Sequence, residues 1–313
     1  MYSAFRDPLM LKEYKLLWAV FLAILIEMVG FAIMHYFGII ALNPKPLVWG
    51  AQILGGFIFG IGMGFAGGCA SGTTYRVGEG MMGSLVALLG LTLGAYLAKF
   101  GVLAAWVTQL QTDTRINFPD DSALTLGGEY NWMLMLGIGI VGLALMFWKF
   151  VLPAMKTETI GIGEIFKKGW PWWMTGIVIG LIGMIAFVSS AAAGRNYPLG
   201  ITAGWLGILN FIIGGTTTIG WLSWMVIGIV VGAFIFSFYA GEWKIRIPKD
   251  PKKIVLQFIG GLMMGTGAVM AMGCNIGNIL SGWPQLSVGS IVTGVFIILG
   301  AWVITYILFM RDE

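Results

Sequence analysis

Two cysteines, Cys69 and Cys274, carry the most reactive side chains of this 313-residue chain. They stand 205 residues apart, with no Cys-x-x-Cys pair and no neighbouring histidine; the one histidine is His35. A disulfide framework needs more cysteines, and a zinc or iron–sulfur site needs about four soft ligands. A neutral thiol, by contrast, donates a weak hydrogen bond suited to a soft anion. A thiolate at a helix N-terminus is also a nucleophile, which keeps a covalent persulfide shuttle open. The non-covalent version is preferred, because no general base stands near either cysteine in sequence. Arg195 is the next candidate. A cation in a largely apolar region is costly and marks a functional site by default, and its forked donors suit a planar or tetrahedral oxyanion. Asn196 and Thr202 are secondary donors, and a helix starting near Leu199 would add its N-terminal dipole. Asn275 and Asn278 beside Cys274, and Ser71, Thr73 and Thr74 beside Cys69, either donate to an anion or cap the following helix. Arg76 and Glu79 read as a loop pair. Glu27 and His35 lie two helical turns apart on one face, which makes Glu27 the candidate for proton coupling and leaves His35 interfacial.

The elements that must hold these side chains are written in the composition. Hydrophobic residues make up 58% of the chain and charged residues 10%, against about 25% charged in a soluble domain. A cytosolic enzyme, a disordered protein and a nucleic-acid-binding domain are excluded on that ground. A helix needs about 20 apolar residues to cross a bilayer, and eight stretches qualify: approximately 16–38, 49–67, 81–104, 131–152, 172–192, 222–241, 254–272 and 285–309. The first is too long, and lacks the flanking signals, for a cleaved leader. The apolar stretch Leu199–Ile213 is shorter and suits a re-entrant piece, with a ninth full span as the alternative. With the N-terminus cytoplasmic and eight crossings, 14 of the 18 Lys and Arg residues fall inside and only Lys45, Lys99, Arg115 and Arg195 outside. That is a strong positive-inside bias. The expected localisation is the cytoplasmic (inner) membrane of a bacterium or archaeon, multi-pass, with both termini cytoplasmic. Basic stretches at 149–171 and 241–253 suit lipid headgroups or an anionic partner.

The glycines show why the two cysteines belong together. Gly55, Gly56, Gly60, Gly62, Ala66, Gly68, Cys69 and Gly72 recur at the same offset as Gly260, Gly261, Gly265, Gly267, Ala271, Gly273, Cys274 and Gly277. After a one-residue shift, Gly83-Ser84 and Leu93-Gly94-Ala95 recur at Gly289-Ser290 and Leu299-Gly300-Ala301. The expected fold class is an all-α polytopic membrane protein of about eight to nine transmembrane helices, in two inverted repeats with re-entrant Gly-Cys turns. Its halves are 1–156 with the Cys69 motif and 172–313 with the Cys274 motif, joined by a cytoplasmic linker at 157–171. An odd number of crossings between the units makes them inverted; a ninth span would make them parallel. Irregular backbone at membrane depth must be buried in protein or line a cavity, so Gly68 and Gly273 join the thiols as candidate site residues.

The Gly-Gly-Cys of the first half, the Gly265-Thr266-Gly267-Ala268 to Gly273-Cys274-Asn275 stretch of the second, and the central Gly194-Arg195-Asn196-Tyr197-Pro198-Leu199-Gly200-Ile201-Thr202 resemble the YeeE/YedE family of sulfur-compound transporters over roughly residues 50–305. The resemblance implies uptake of thiosulfate or a related sulfur or selenium species, with the cysteines lining a narrow pathway and binding substrate through S–H hydrogen bonds. It also implies a small TusA-like sulfurtransferase as cytoplasmic partner. Family members carry a further cysteine in the path, and this chain departs from that with two. The expectation is a transporter rather than an enzyme, with no cofactor, no metal and no nucleic acid; the sequence has no Gly-x-x-x-x-Gly-Lys-[Ser/Thr] loop for ATP. The alternative is a membrane thiol oxidoreductase or a persulfide-shuttling subunit.

Overall fold

The computed structural model describes residues 1–116, 123–157 and 169–310. Lys167, Lys168, Arg311 and most of the expected linker at 157–171 lie outside the described residues. Among the described residues the regular secondary structure is helical, with no β-strand. In chain order the helices are α1 (Tyr2–Met10), α2 (Lys15–Tyr36), α3 (Trp49–Ala66), α4 (Ala70–Gly78), α5 (Met82–Lys99), α6 (Ala104–Asp113), α7 (Asn131–Met146), α8 (Leu152–Thr157), α9 (Trp172–Ala192), α10 (Ile201–Ile212), α11 (Trp221–Tyr239), α12 (Pro251–Met270) and α13 (Val288–Thr305). Eight helical segments are long and apolar enough to cross a membrane, and they fall where the hydropathy of the sequence puts them. At 1.5 Å per residue, the 12 residues of α10 rise about 18 Å, short of the roughly 30 Å of hydrocarbon.

Helices in lipid gain no hydrophobic drive from meeting one another, so close backbone approach through small residues carries their association. The centre of this molecule is built that way from α3 and α12. A methyl group added to Gly55 would run into the backbone of Gly267 and Ala271, and one added to Gly62 would meet Gly260 and Met264. Climbing α3 therefore descends α12, and the two helices are antiparallel. Each of the pair takes a parallel neighbour from the other half of the chain. Gly56 and Gly60 of α3 meet Thr293 and Ile297 of α13, while Gly261 and Gly265 of α12 meet Ala87 and Leu91 of α5. The repeat relates these two sets of contacts to each other: Gly56 and Gly60 correspond to Gly261 and Gly265, and Ala87 and Leu91 correspond, after the one-residue shift, to Thr293 and Ile297.

Around this centre, α2 packs on α7 and α9, and α11 on α4 and α10. Phe31 of α2 meets Phe187 of α9 edge to face, ring centroids 4.9 Å apart, an arrangement worth about 0.5–1.5 kcal/mol beyond burial. The last carbonyls of a helix need partners from outside it. Gln111 of α6 donates to Val269 O and Met270 O at the end of α12, both at 2.9 Å.

Candidate functional site

Both cysteines sit where a central helix breaks. After α3, Gly67 takes a left-handed conformation at φ 70°. Cys69 then caps α4, its Sγ accepting from Gly72 N at 3.4 Å and lying 3.3 Å from Ser71 Oγ. After α12, Met272 and Gly273 have φ of 57° and 155°, and Cys274 precedes a π-type turn at Ile276–Leu280. A Cβ at Gly273 would meet the flexible end of Lys45, so the demand for glycine there comes from the backbone conformation. Thr73 and Asn278, one repeat offset apart, make the same contact in the two halves: Thr73 Oγ1 donates to Cys69 O at 2.9 Å, and Asn278 Nδ2 donates to Cys274 O at 3.3 Å and to Gly273 O at 2.7 Å. The thiols are free, each 1% exposed, and share one continuous buried cluster with Phe59, Met63, Met264 and Ile279.

The Cys274 turn opens on a cavity of about 310 Å³ lined also by Lys45, Arg195, Tyr197, Thr202 and Gly273. Thr202 begins the first turn of α10; its hydroxyl is buried and has no partner. Arg195 lines the wall but spends one edge on the loop that holds it: Nη1 donates to Tyr197 O, to Pro198 O at 3.2 Å and to Ser190 Oγ at 3.3 Å. Burial lowers the Arg195 pKa from its usual value, and burial raises that of the Tyr197 phenol, which donates to Gly277 O at 2.6 Å.

The remaining candidates are distributed around these two turns. Gly68 is buried beside Cys69, and the guanidinium of Arg76 closes over it, Nη1 donating to Gly67 O at 2.7 Å. Arg76 thus tethers the helix break as well as standing near Glu79. Asn275 donates through Nδ2 to Met1 Sδ at 2.8 Å, and its buried Oδ1 has no partner. Met1 nitrogen lies 3.5 Å from Cys69 Sγ, so Met1, the residue before α1, bridges the two cysteine turns. Asn196 is exposed and lines a different cavity, with His35 and Ile40; it is not brought to Cys274. Glu27 is fully buried between α2 and α9 against Gly183, with both carboxyl oxygens unpartnered. His35 lies at the end of α2, with Nδ1 3.3 Å from Ile40 O.

Three residues of this arrangement escaped the sequence reading as site residues: Lys45, Tyr197 and Met1. Lys45 counted there only as an external positive charge. The available signal was its place between Pro44 and Pro46, in a short loop between two spans.

Comparison with known proteins gives one consistent picture. Residues 1–303 match the family model described as Sulphur transport. The chain is 37% identical over 311 residues to the thiosulfate transporter TsuA of Spirochaeta thermophila, covering 99% of this chain and 93% of that one. It is 31% identical over 321 residues to TsuA of Escherichia coli, covering 99% and 89%. A shorter stretch of 78 residues, a quarter of this chain, is 33% identical to the probable transporter YedE of Escherichia coli.

Proposed function

We propose, from the premise that this chain belongs to the sulphur-transport family, that it takes up thiosulfate along a narrow path past Cys274 and Cys69. Two full-length relatives named as thiosulfate transporters support that choice of sulfur compound. The observation that carries the path is the pairing of two buried free thiols, each at the break of one of two antiparallel central helices. A dianion that enters beside Cys274 meets the S–H, the unpartnered Thr202 hydroxyl and the Arg195 side chain, with the Gly273 turn and Asn275 next to it. It then passes the Asn275–Met1 contact to reach Cys69 and the turn at Gly68. Thiol donors hold a soft sulfur-bearing anion weakly enough to release it, which conduction through successive sites requires. No bond to sulfur is made or broken on this route, and the protein acts as a transporter rather than an enzyme.

The antiparallel α3 and α12, each packed on a helix of the other half, support two inverted repeats spanning 1–156 and 172–313. Eight crossings with the basic loop Lys244, Arg246, Lys249, Lys252 and Lys253 on the cytoplasmic side leave both termini cytoplasmic in an inner membrane and the Cys274 cavity outside. The same loop is exposed and suits an anionic surface, whether lipid headgroups or a TusA-like sulfurtransferase. Glu27 is the candidate for proton coupling, since its fully buried carboxyl has no hydrogen-bond partner in the protein and an ionisable residue within a span marks a functional site by default.

Uptake of labelled thiosulfate into proteoliposomes tests this reading. Cys69→Ala and Cys274→Ala are each expected to lower the initial rate at least tenfold in protein that is still folded; undiminished rates in both would sink it. The helix-capping position of Cys69 favours one second reading, a persulfide relay, because a thiol there is set up as a nucleophile: its thiolate would attack the outer sulfur of thiosulfate, break the S–S bond and release sulfite. Serine at either position keeps a donor but forms no persulfide. Residual uptake in Cys69→Ser well above that of Cys69→Ala supports hydrogen bonding, whereas equal loss supports the relay. Competition by selenium analogues of thiosulfate in the same assay decides between sulfur and selenium cargo.

A further inference from the structure

The loop between α2 and α3 is fixed at every turn. Asn43 N donates to Gln285 Oε1 at 3.0 Å, Ser287 Oγ donates to Lys45 O at 3.1 Å, and Gln52 Nε2 donates to Pro46 O at 2.9 Å. Pro44 and Pro46 remove backbone freedom on either side. The result aims one ammonium into the cavity beside Cys274. Lys45 Nζ donates to Gly277 O at 3.1 Å and to Asn278 Oδ1 at 3.0 Å, and stands 5.1 Å from the centre of the Tyr197 ring. Arg195 stands 5.5 Å from the centre of the same ring. The cavity wall thus holds two cations, one thiol and one unpartnered hydroxyl, and no carboxylate among its described residues. Two half-buried cations with only neutral acceptors are an incomplete arrangement, because a charge drawn partly out of water is costly until an opposite charge joins it.

We propose that Lys45 is the residue that receives and selects the anion, exchanging its hydrogen bonds to the Cys274 turn for the oxygens of an incoming dianion. This rests on the transport reading above and adds a specificity-determining residue to it. The acceptors that Lys45 releases belong to Gly277 and Asn278, and Asn278 also holds the carbonyls of Gly273 and Cys274. Capture therefore loosens the turn that carries the thiol at the moment the anion reaches it. The volume of about 310 Å³ equals roughly ten water molecules at about 30 Å³ each, room for a small oxyanion with part of its hydration.

The charge of Lys45 is itself adjustable. Burial lowers its pKa to about 7, with Arg195 pushing the same way and a charge on Cys274 pushing back. The groups that face it are Arg195 and Tyr197 from the loop before α10, and Cys274 and Asn278 from the turn after α12; α3 contributes the neutral Gln52. His35, Arg115 and Glu129 line a neighbouring cavity beyond Asn43, Pro44 and Pro46. A dianion binds the ammonium form, so capture is strong below the pKa and weakens above it. If only the charged form binds, the apparent KM rises about tenfold between pH 6 and pH 8.

Thiosulfate uptake into proteoliposomes, measured from pH 6 to pH 8 for wild type, Lys45→Gln and Lys45→Arg, tests the proposal. Wild type is expected to show that tenfold rise. Lys45→Gln, neutral throughout, should have a KM raised well over tenfold at pH 6 and flat with pH. Lys45→Arg, charged throughout, should keep the low KM and lose the pH dependence. Wild-type KM and pH profile in Lys45→Gln would overturn the role of Lys45 while leaving thiosulfate transport intact. Absence of thiosulfate uptake by wild type would overturn the transport reading and this inference with it. Should Lys45→Gln fail to fold, wild type against Lys45→Arg decides, and identical pH profiles overturn the proposal.

Discussion

Thr202 shows what a single side chain contributes at this site. Its hydroxyl is buried on the wall of the Cys274 cavity without a partner, and an unsatisfied buried hydroxyl costs about 1–3 kcal/mol. Thr202→Val keeps the shape and removes that cost. The expected outcome is a melting temperature equal to or above wild type, with the KM for thiosulfate raised about five- to tenfold, read by thermal unfolding in detergent and by uptake. Glu27 permits the opposite separation. Glu27→Gln keeps the shape of the side chain that packs against α9, so the fold and uptake down a thiosulfate gradient should survive. Acceleration by an inward proton gradient should vanish, and acceleration that persists in the variant would exclude Glu27 as the coupling group. At this scale the sequence exposed residue types but not directions. Cys69, Cys274, Arg195 and Thr202 were legible because a thiol, a lone cation and a glycine-rich motif are rare against an apolar background. Lys45 was not, since in the one-dimensional chain it is one external charge among four, and only the pinned loop turns it inward. Asn196 is turned away from that cavity by a tight turn, in which Tyr197 N donates to Arg195 O at 2.8 Å, and its exposed side chain lines the cavity shared with His35.

At the scale of elements, the glycines of α3 and α12 set the distance at which the two cysteine turns are held. Gly62 and Gly260 face each other's backbone, where a Cβ has no room. Gly62→Val or Gly260→Val should cost the folded state several kcal/mol and remove monodisperse protein from detergent extracts, as size-exclusion chromatography would report. Gly228 of α11 is the control, with open space around it. Gly228→Ala should leave the protein folded and slightly more stable, by up to about 1 kcal/mol from helix propensity. The repeat offset singled out both glycines in the sequence, but not that they face each other. The short α1 went unannounced, since nine residues with a proline inside and little apolar length carry no span signal. Tertiary contacts hold it in place: Tyr2 hydroxyl lies 3.1 Å from Thr305 Oγ1, and Trp302 donates to Phe5 O at 3.0 Å.

For the whole molecule, opposed access to the two thiols is what the proposed inverted repeats require. In sealed right-side-out vesicles, an impermeant maleimide added outside should modify Cys274 in a Cys69→Ala background and spare Cys69 in a Cys274→Ala background. Thiosulfate should slow the reaction, and equal labelling from one side would argue for parallel repeats. The sequence by itself determined the membrane class, the eight spans and the doubled Gly-Cys motif, because hydrocarbon thickness and close helix packing act on residue type and spacing along the chain. The tertiary structure alone decided that α3 and α12 run antiparallel, that Met1 lies between the two turns, and that Lys45 joins Arg195, Thr202 and Cys274 around one cavity. Those facts depend on which distant segments meet and which way a side chain leaves its loop, and neither is set by local propensity or hydropathy.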